Sequence, residues 1–458
     1  MRLVLQSINS FIWGIPVLTM ILMTGIHLSV RTGFAQIGLL KVAVKHFSKN
    51  FHNANHDRNT VSGYRALCTA LAATVGTGNI AGVAGAIAIG GPGVIFWMWI
   101  SAILGMITKF AEVTLALYYR EYKRGEYVGG PMYVIQNGLS SKYHILAYIY
   151  CFFGVVAALG IGNAVQVNAV VDGVRNILYS NGTEFPIFHR LFLGMIICLM
   201  VIPIFRKGAY GIGSIAEKMV PIASAIYIFM SLLVLILQFK EIPTAINAII
   251  QGAFSPGAVT GGMIGSVLLT LRTGVARGVF TNEAGMGTAS IAHAASDANH
   301  PAEQGLMGIM EVFLDTIVIC TMTALVILCS GISIPYGSDP GIALSLDAFA
   351  AVLGDWSKIL LTFLTCIFAF ATILGWGLYG TRCFQYIFGV QTWNSFIYAQ
   401  SAAVILGVLL DTSCVWTLAE IVNGLMAIPN LFVVTALSGT FMKIFLDFQK
   451  RENAYRLR

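Results

Sequence analysis

The chain has 458 residues, of which 57% are hydrophobic and only 10% charged, with a mean hydropathy of +0.80. A soluble domain carries roughly 25% charged residues, so most of this surface must face lipid and an ordinary soluble fold is excluded. The net charge of +7 would suit an anionic partner, but its placement follows membrane topology, and nucleic acid is not expected as a partner.

Apolar runs follow one another at 11–30, 65–90, 93–118, 145–175, 188–204, 214–238, 260–290, 306–330, 357–380, 393–411 and 414–445. Each spanning helix needs roughly 20 such residues, so the chain predicts an all-α polytopic membrane protein with about eleven transmembrane helices. The first run is too long for the apolar core of a cleaved signal and no A-x-A site follows it. Next, Phe34–Phe51 repeats Lys41, Lys45 and Lys49 beside Ile37, Leu40, Val44 and Phe47, which predicts a helix lying on the membrane surface. The stretches 240–258 and 331–356 read as external connections holding short helices. The cysteines are scattered through apolar segments and predict neither a disulfide framework nor a zinc site.

Lysine and arginine set the orientation. They crowd the loops at 31–65, 120–142, 205–218 and 381–391 and the tail after 442, whereas the other side holds Arg2, Arg175, Arg190, Lys240 and Lys358. The bias places the N-terminus outside and the C-terminus in the cytoplasm, in an inner or plasma membrane.

Two runs do not read as plain packing helices. One contains Ala72-Ala73-Thr74-Val75-Gly76-Thr77-Gly78-Asn79 and the other Arg277-Gly278-Val279-Phe280-Thr281-Asn282-Glu283-Ala284-Gly285. Both put glycine and polar residues where a spanning helix would carry leucine, and they lie nearly half the chain apart. Each begins a block of five helices, and an odd number inverts the topology of the second block. An unwound helix exposes backbone groups that cost several kcal/mol each in hydrocarbon, so a break survives only where it lines a site. Half-helix N-termini suit a carboxylate and freed carbonyls suit a hard cation. Glycines serving close helix packing are the plainer reading, and Gly78 and Gly82 have GxxxG spacing.

The run Gly90-Gly91-Pro92-Gly93-Val94-Ile95-Phe96-Trp97-Met98-Trp99 closely resembles a signature of the alanine or glycine:cation symporter family, as do Gly129-Gly130-Pro131-Met132-Tyr133 and Gly375-Trp376-Gly377. The resemblance covers about residues 65 to 440. It implies a LeuT-like five-plus-five inverted repeat with one extra N-terminal helix. The segments are then 1–64 (extra helix and basic amphipathic stretch), 65–239 (first repeat), 240–445 (second repeat) and 446–458 (tail). It also implies Na⁺-coupled import of a small neutral amino acid, with Na⁺ as coupling ion and no organic cofactor. Carried over by position, Thr77 and Gly78 bind the substrate carboxylate, Phe280, Thr281 and Asn282 face the ammonium, and Gln166 and Trp376 complete the pocket. Sodium falls to the carbonyls of Ala72, Val75 and Ala369 and the hydroxyl of Thr372, with Asn79 at the position of a possible second sodium.

Ionisable residues inside a membrane read as functional by default. Glu283 lies in the second break and is a candidate for gating or for holding the unwound backbone. Arg272 and Arg277 are candidates for an outer gate, and Glu311 and Asp315 for partners of an arginine. Lys109 and Glu112 have the spacing of an ordinary helix pair. His293, Asp297 and His300 read as a solvated cytoplasmic loop. A proton-coupled transporter of the same fold, with Glu283 or Glu311 carrying the proton, is the nearest alternative, followed by a non-transporting amino acid sensor. No catalytic constellation such as HExxH is present, so an enzyme is not expected. A monomer or weak oligomer in the bilayer is the expected assembly.

Overall fold

The computed structural model describes residues 2–52, 61–178, 185–409 and 412–456. Helices that are apolar around their whole circumference bury one face in protein and turn the other to lipid. In Ile187–Phe205, for example, Gly194, Ile197, Val201 and Phe205 are buried while Phe192, Met195, Leu199 and Met200 are exposed. Among the described residues seven helices are long and apolar enough to cross a membrane: Ser7–Thr32, Val94–Tyr118, Ser141–Leu178, Ile187–Phe205, Gly208–Leu237, Pro301–Cys329 and Trp356–Phe388. Two bent pairs bring the number to nine. Gly63–Thr74 with Gly78–Gly90 turns by 50°, and Glu420–Ala436 with Ser438–Glu452 by 62°. The two remaining apolar runs hold the shorter helices Val267–Asn282 and Trp393–Gly407.

The inner layer consists of the Gly63–Gly90 pair, Val94–Tyr118, Val267–Asn282, Pro301–Cys329 and Trp356–Phe388, which pack on one another. Small residues permit the closest approaches. A Cβ on Gly375 would lie 2.8 Å from that of Ala73, bringing the first broken helix against Trp356–Phe388. Helices Ile242–Phe254 and Ala343–Leu353 form in the two long connections, as their apolar spacing predicts.

The amphipathic stretch forms helix Ala35–His52, with Gln36, Leu39 and Ala43 buried and Ile37, Lys41, Val44 and Lys45 exposed. The face turned to the protein is thus offset from the one that Ile37 and Val44 suggest. The fold is not purely helical. Glu121–Lys123 and Glu126–Val128 pair antiparallel across a turn in which Gly125 has φ +86°.

Candidate substrate and ion site

Helix Gly63–Thr74 stops at Val75, whose backbone is extended (φ −77°, ψ 95°). The Gly76 N–H would continue the ladder onto the Ala72 carbonyl. Instead it donates to Asn79 Oδ1 at 2.8 Å, and the Asn79 N–H returns to the Gly76 carbonyl at 3.3 Å. The asparagine therefore caps the break, and the Ala72 carbonyl is freed from its usual partner. A π-type turn, Gly78–Gly82, starts the second half. The Thr77 hydroxyl donates to Gln166 Oε1 at 2.9 Å, and Gln166 Nε2 donates to the Ile161 carbonyl at 3.2 Å. Gln166 follows another π-type turn, Gly160–Val165, on the neighbouring span.

The second break follows Asn282. Glu283 takes a left-handed conformation (φ 55°), and its N–H caps the Val279 carbonyl at 2.8 Å. Left-handed backbone is strained for residues other than glycine. Here it is held by Thr288, whose hydroxyl donates to the Glu283 carboxylate, and by Ala284 N–H donating to Asn282 Oδ1 at 2.9 Å. Gly285 (φ 94°) and Gly287 (φ 74°) supply the remaining left-handed turns. Glu112 and Asn430 satisfy the open backbone. Glu112 Oε1 accepts from Gly285 N–H at 2.9 Å and from Asn430 Nδ2 at 2.6 Å, while Asn430 Nδ2 also reaches the Gly285 carbonyl at 2.9 Å. Tyr150 donates its hydroxyl to the Met286 carbonyl at 3.1 Å.

The two breaks touch. A Cβ on Gly78 would lie 3.3 Å from Thr281 Cγ2 and 3.5 Å from the Phe280 ring. They also share a partner on Pro301–Cys329, which winds as a π-helix over Phe313–Cys320. Asn79 Nδ2 donates to Asp315 Oδ1 at 2.6 Å. The Thr316 hydroxyl donates to Asp315 Oδ2 at 2.8 Å and accepts from Asn282 Nδ2 at 3.0 Å. With its amide nitrogen on a carboxylate and its oxygen on a backbone N–H, Asn79 has one consistent orientation.

On Trp356–Phe388, Thr372 is buried and its hydroxyl has no hydrogen-bond partner. It faces the first break, since a Cβ on Gly76 would lie 2.6 Å from Thr372 Oγ1. Ala369 lies nearly one turn earlier on the same helix. A buried hydroxyl without a partner costs about 1–3 kcal/mol. Facing a break that releases a carbonyl from its ladder, it fits a hard cation that takes oxygen ligands. Trp376 packs over Gly162, with its Cγ 3.0 Å from where a Cβ would be, and meets Tyr379 edge-on at 5.7 Å.

The buried charges pair differently from the helix spacing. Lys109 binds Glu311 on another helix at 3.1 Å and not Glu112 as an i,i+3 partner. Among the described residues Glu311 and Asp315 form no ion pair with an arginine. Glu311 takes Lys109 and His293, each at 3.1 Å, because Pro301–Cys329 packs along Val94–Tyr118. His293 is fully buried at the end of helix Ala289–His293 and meets Gln304 Nε2 at 2.7 Å through Nδ1, while His300 is buried and accepts from Ala302 N–H at 3.1 Å. This segment is therefore packed core at these positions and not a solvated loop. On the second broken helix, just ahead of the break, Arg277 reaches Glu420 at 3.1 Å and Asp339 at 3.9 Å, whereas Arg272 forms no ion pair among the described residues.

Sequence reasoning passed over Gln400, Asn163, Asn430 and Glu420. Gln400 Nε2 bridges Asn163 Oδ1 at 3.3 Å and the Ile373 carbonyl at 2.9 Å, one residue from Thr372. The available signal was a lone amide in an apolar run, which also marks Asn430 beside Pro429.

Comparison with known proteins identifies the family and the fold. The profile of the sodium:alanine symporter family matches residues 1–457. An uncharacterised transporter of Haemophilus influenzae is 41% identical over 455 residues, covering 98% of this chain and 96% of the relative. The sodium/alanine symporter AgcS of Methanococcus maripaludis is 40% identical over 456 residues, covering 98% of each. The probable sodium/glutamine symporter GlnT of Bacillus subtilis is 33% identical, covering 97% of this chain and 90% of the relative. Among solved structures, MhsT in complex with L-phenylalanine superposes with a TM-score of 0.60 at 15% identity, over 85% of this chain and 99% of that one. Mhp1, a nucleobase-cation-symport-1 family transporter, superposes with a TM-score of 0.51 at 11% identity, over 84% and 92%. The fold is that of the LeuT-like transporters, and the chain is a multi-pass membrane protein belonging to the sodium:alanine symporter family.

Proposed function

We propose that this protein imports small neutral amino acids such as alanine or glycine together with Na⁺, by alternating access. The observation that carries the reading is the buried, partnerless Thr372 hydroxyl facing the first break. Sodium enters there, on Thr372 and the carbonyls of Ala72, Val75 and Ala369. The amino acid lies between the breaks. Thr77, Gly78 and the half-helix N-terminus behind them take its carboxylate, and Phe280, Thr281 and Asn282 face its ammonium. Gln166 orients Thr77, and Trp376 closes the wall behind Gly162.

The helix count is eleven, arranged as the segments 1–64, 65–239, 240–445 and 446–458, with the N-terminus outside, the C-terminus in the cytoplasm and the protein in the cell membrane. One Na⁺ moving down 100 mV supplies about 2.3 kcal/mol to the substrate gradient. Coupling arises because each ligand favours the same closed arrangement of the two breaks. In the proton-coupled alternative the carrier is Glu283 or Glu311, and Glu311 is paired with Lys109 and His293.

Alanine binding to the purified protein tests this reading. Binding in Na⁺ that weakens at least tenfold in K⁺, with leucine and glutamate excluded, supports it. Equal alanine binding in both salts overturns the sodium coupling.

A further inference from the structure

The N-terminal helix lies outside the ten-helix core, yet it reaches the residue that Arg277 binds. Glu420 Oε1 lies 3.1 Å from Arg277 Nη2. Its other carboxylate oxygen accepts from Asn9 Nδ2 at 2.6 Å, and its backbone carbonyl accepts from Trp13 Nε1 at 2.7 Å. Trp13 is buried, seated against the last span at Gly424, where a Cβ would lie 3.3 Å from the indole nitrogen.

We propose that Arg277 and Glu420 form the outer lock of the transport cycle, and that Asn9 and Trp13 of the N-terminal helix are positioning residues for it. The proposal rests on the transport reading and orientation given above. The Arg277 guanidinium bridges three moving parts. It is carried by the second broken helix, it grips the last span through Glu420, and it reaches Asp339 at 3.9 Å. Asp339 belongs to the loop that covers the outer half of the first broken helix. A Cβ on Gly85 would lie 2.6 Å from Asp339 Oδ1, and Gly337 N–H donates to the Ala88 carbonyl at 2.9 Å. Directly beneath the guanidinium, 5.9 Å away, is the ring of Phe280, which in turn lies on Gly78. Separating Arg277 from Glu420 therefore unroofs the substrate site.

Ion pairs between free side chains gain little because both must be ordered. Here the acid is already ordered. Asn9 occupies one carboxylate oxygen and leaves the other for the arginine, and Trp13 pins the backbone that carries them. The extra helix thus sets how tightly the outer side closes.

Cys320 supplies a native reporter. It is buried between the breaks, with Sγ 3.3 Å from Asn79 Nδ2. In full-length protein with Cys320 as its sole thiol, a membrane-impermeant methanethiosulfonate applied outside reports opening of the outer side. Glu420→Gln and Asn9→Ala should each speed labelling about tenfold, the equivalent of about 1.4 kcal/mol, and Trp13→Phe, which keeps the ring but loses the N–H donor, should act in the same direction. Unchanged labelling in Glu420→Gln and Asn9→Ala would overturn the lock. The assay needs neither amino acid nor sodium, so it stands apart from failure of the substrate reading.

Discussion

Asn79 Nδ2 lies 2.6 Å from Asp315 Oδ1, so the first broken helix and Pro301–Cys329 meet through an amide and a carboxylate that are both fully buried. The other oxygen of Asp315 takes the Thr316 hydroxyl, which holds Asn282 of the second broken helix. One carboxylate thereby fixes the spacing of the two breaks.

Asp315→Ala removes the acceptor of both bonds and leaves the Asn79 amide buried without its strongest partner. A hydrogen bond to a charged group contributes about 1.5–3 kcal/mol, so the variant should unfold more easily by about that amount and lose most uptake. Asp315→Asn, which keeps one acceptor oxygen, should fall between. Chemical denaturation in detergent together with uptake checks both.

Thr372→Val tests the cation site in a different way. The hydroxyl has no partner in the protein, so its loss should leave the sodium-free protein no less stable, and more stable by up to about 1–3 kcal/mol. The rise in unfolding temperature produced by Na⁺, which reports binding to the folded state, should disappear. Gly76→Ala puts a methyl 2.6 Å from the same oxygen and should abolish the sodium effect too. Thr372→Ser should retain it.

The Lys109–Glu311 pair is buried on both sides. Glu311→Gln leaves the buried ammonium without its ion-pair partner and should destabilise by about 3–5 kcal/mol, Lys109→Met leaves Glu311 with His293 alone and should cost less, and replacing both should cost less than the sum. A double-mutant cycle measured by denaturation gives the coupling.

Gly287→Ala should destabilise the second break. Its φ is +74°, and a Cβ would collide with Asn430 Oδ1 and Pro131 Cγ. Stability should fall by about 1–3 kcal/mol, with weaker alanine binding in the fraction that folds.

Much of this arrangement was legible because the membrane restricts what a sequence can mean. Glycine and asparagine in mid-span cannot be left unsatisfied, so the runs around Gly76 and Gly285 mark breaks in the sequence itself. The partners of those breaks were less legible. Glu112 looked like the helix mate of Lys109 at i,i+3 spacing, but its carboxylate caps Gly285, because the packing of Val94–Tyr118 against the second break decides where each side chain points. His293 and His300 read as solvated because they follow a break and stand among polar residues, whereas His293 is buried against Gln304 and Glu311 and His300 packs against Phe448 of the last helix. Glu420 and Asn9 are separated by nearly the whole chain, and no local pattern joins them.

The most direct test of the central claim is uptake of labelled alanine by proteoliposomes under an inward Na⁺ gradient, with K⁺ in its place as control and Thr372→Val alongside. Accumulation above equilibrium that requires Na⁺ and is lost in Thr372→Val is the predicted result. Accumulation that persists without Na⁺, or that the variant leaves intact, would contradict it.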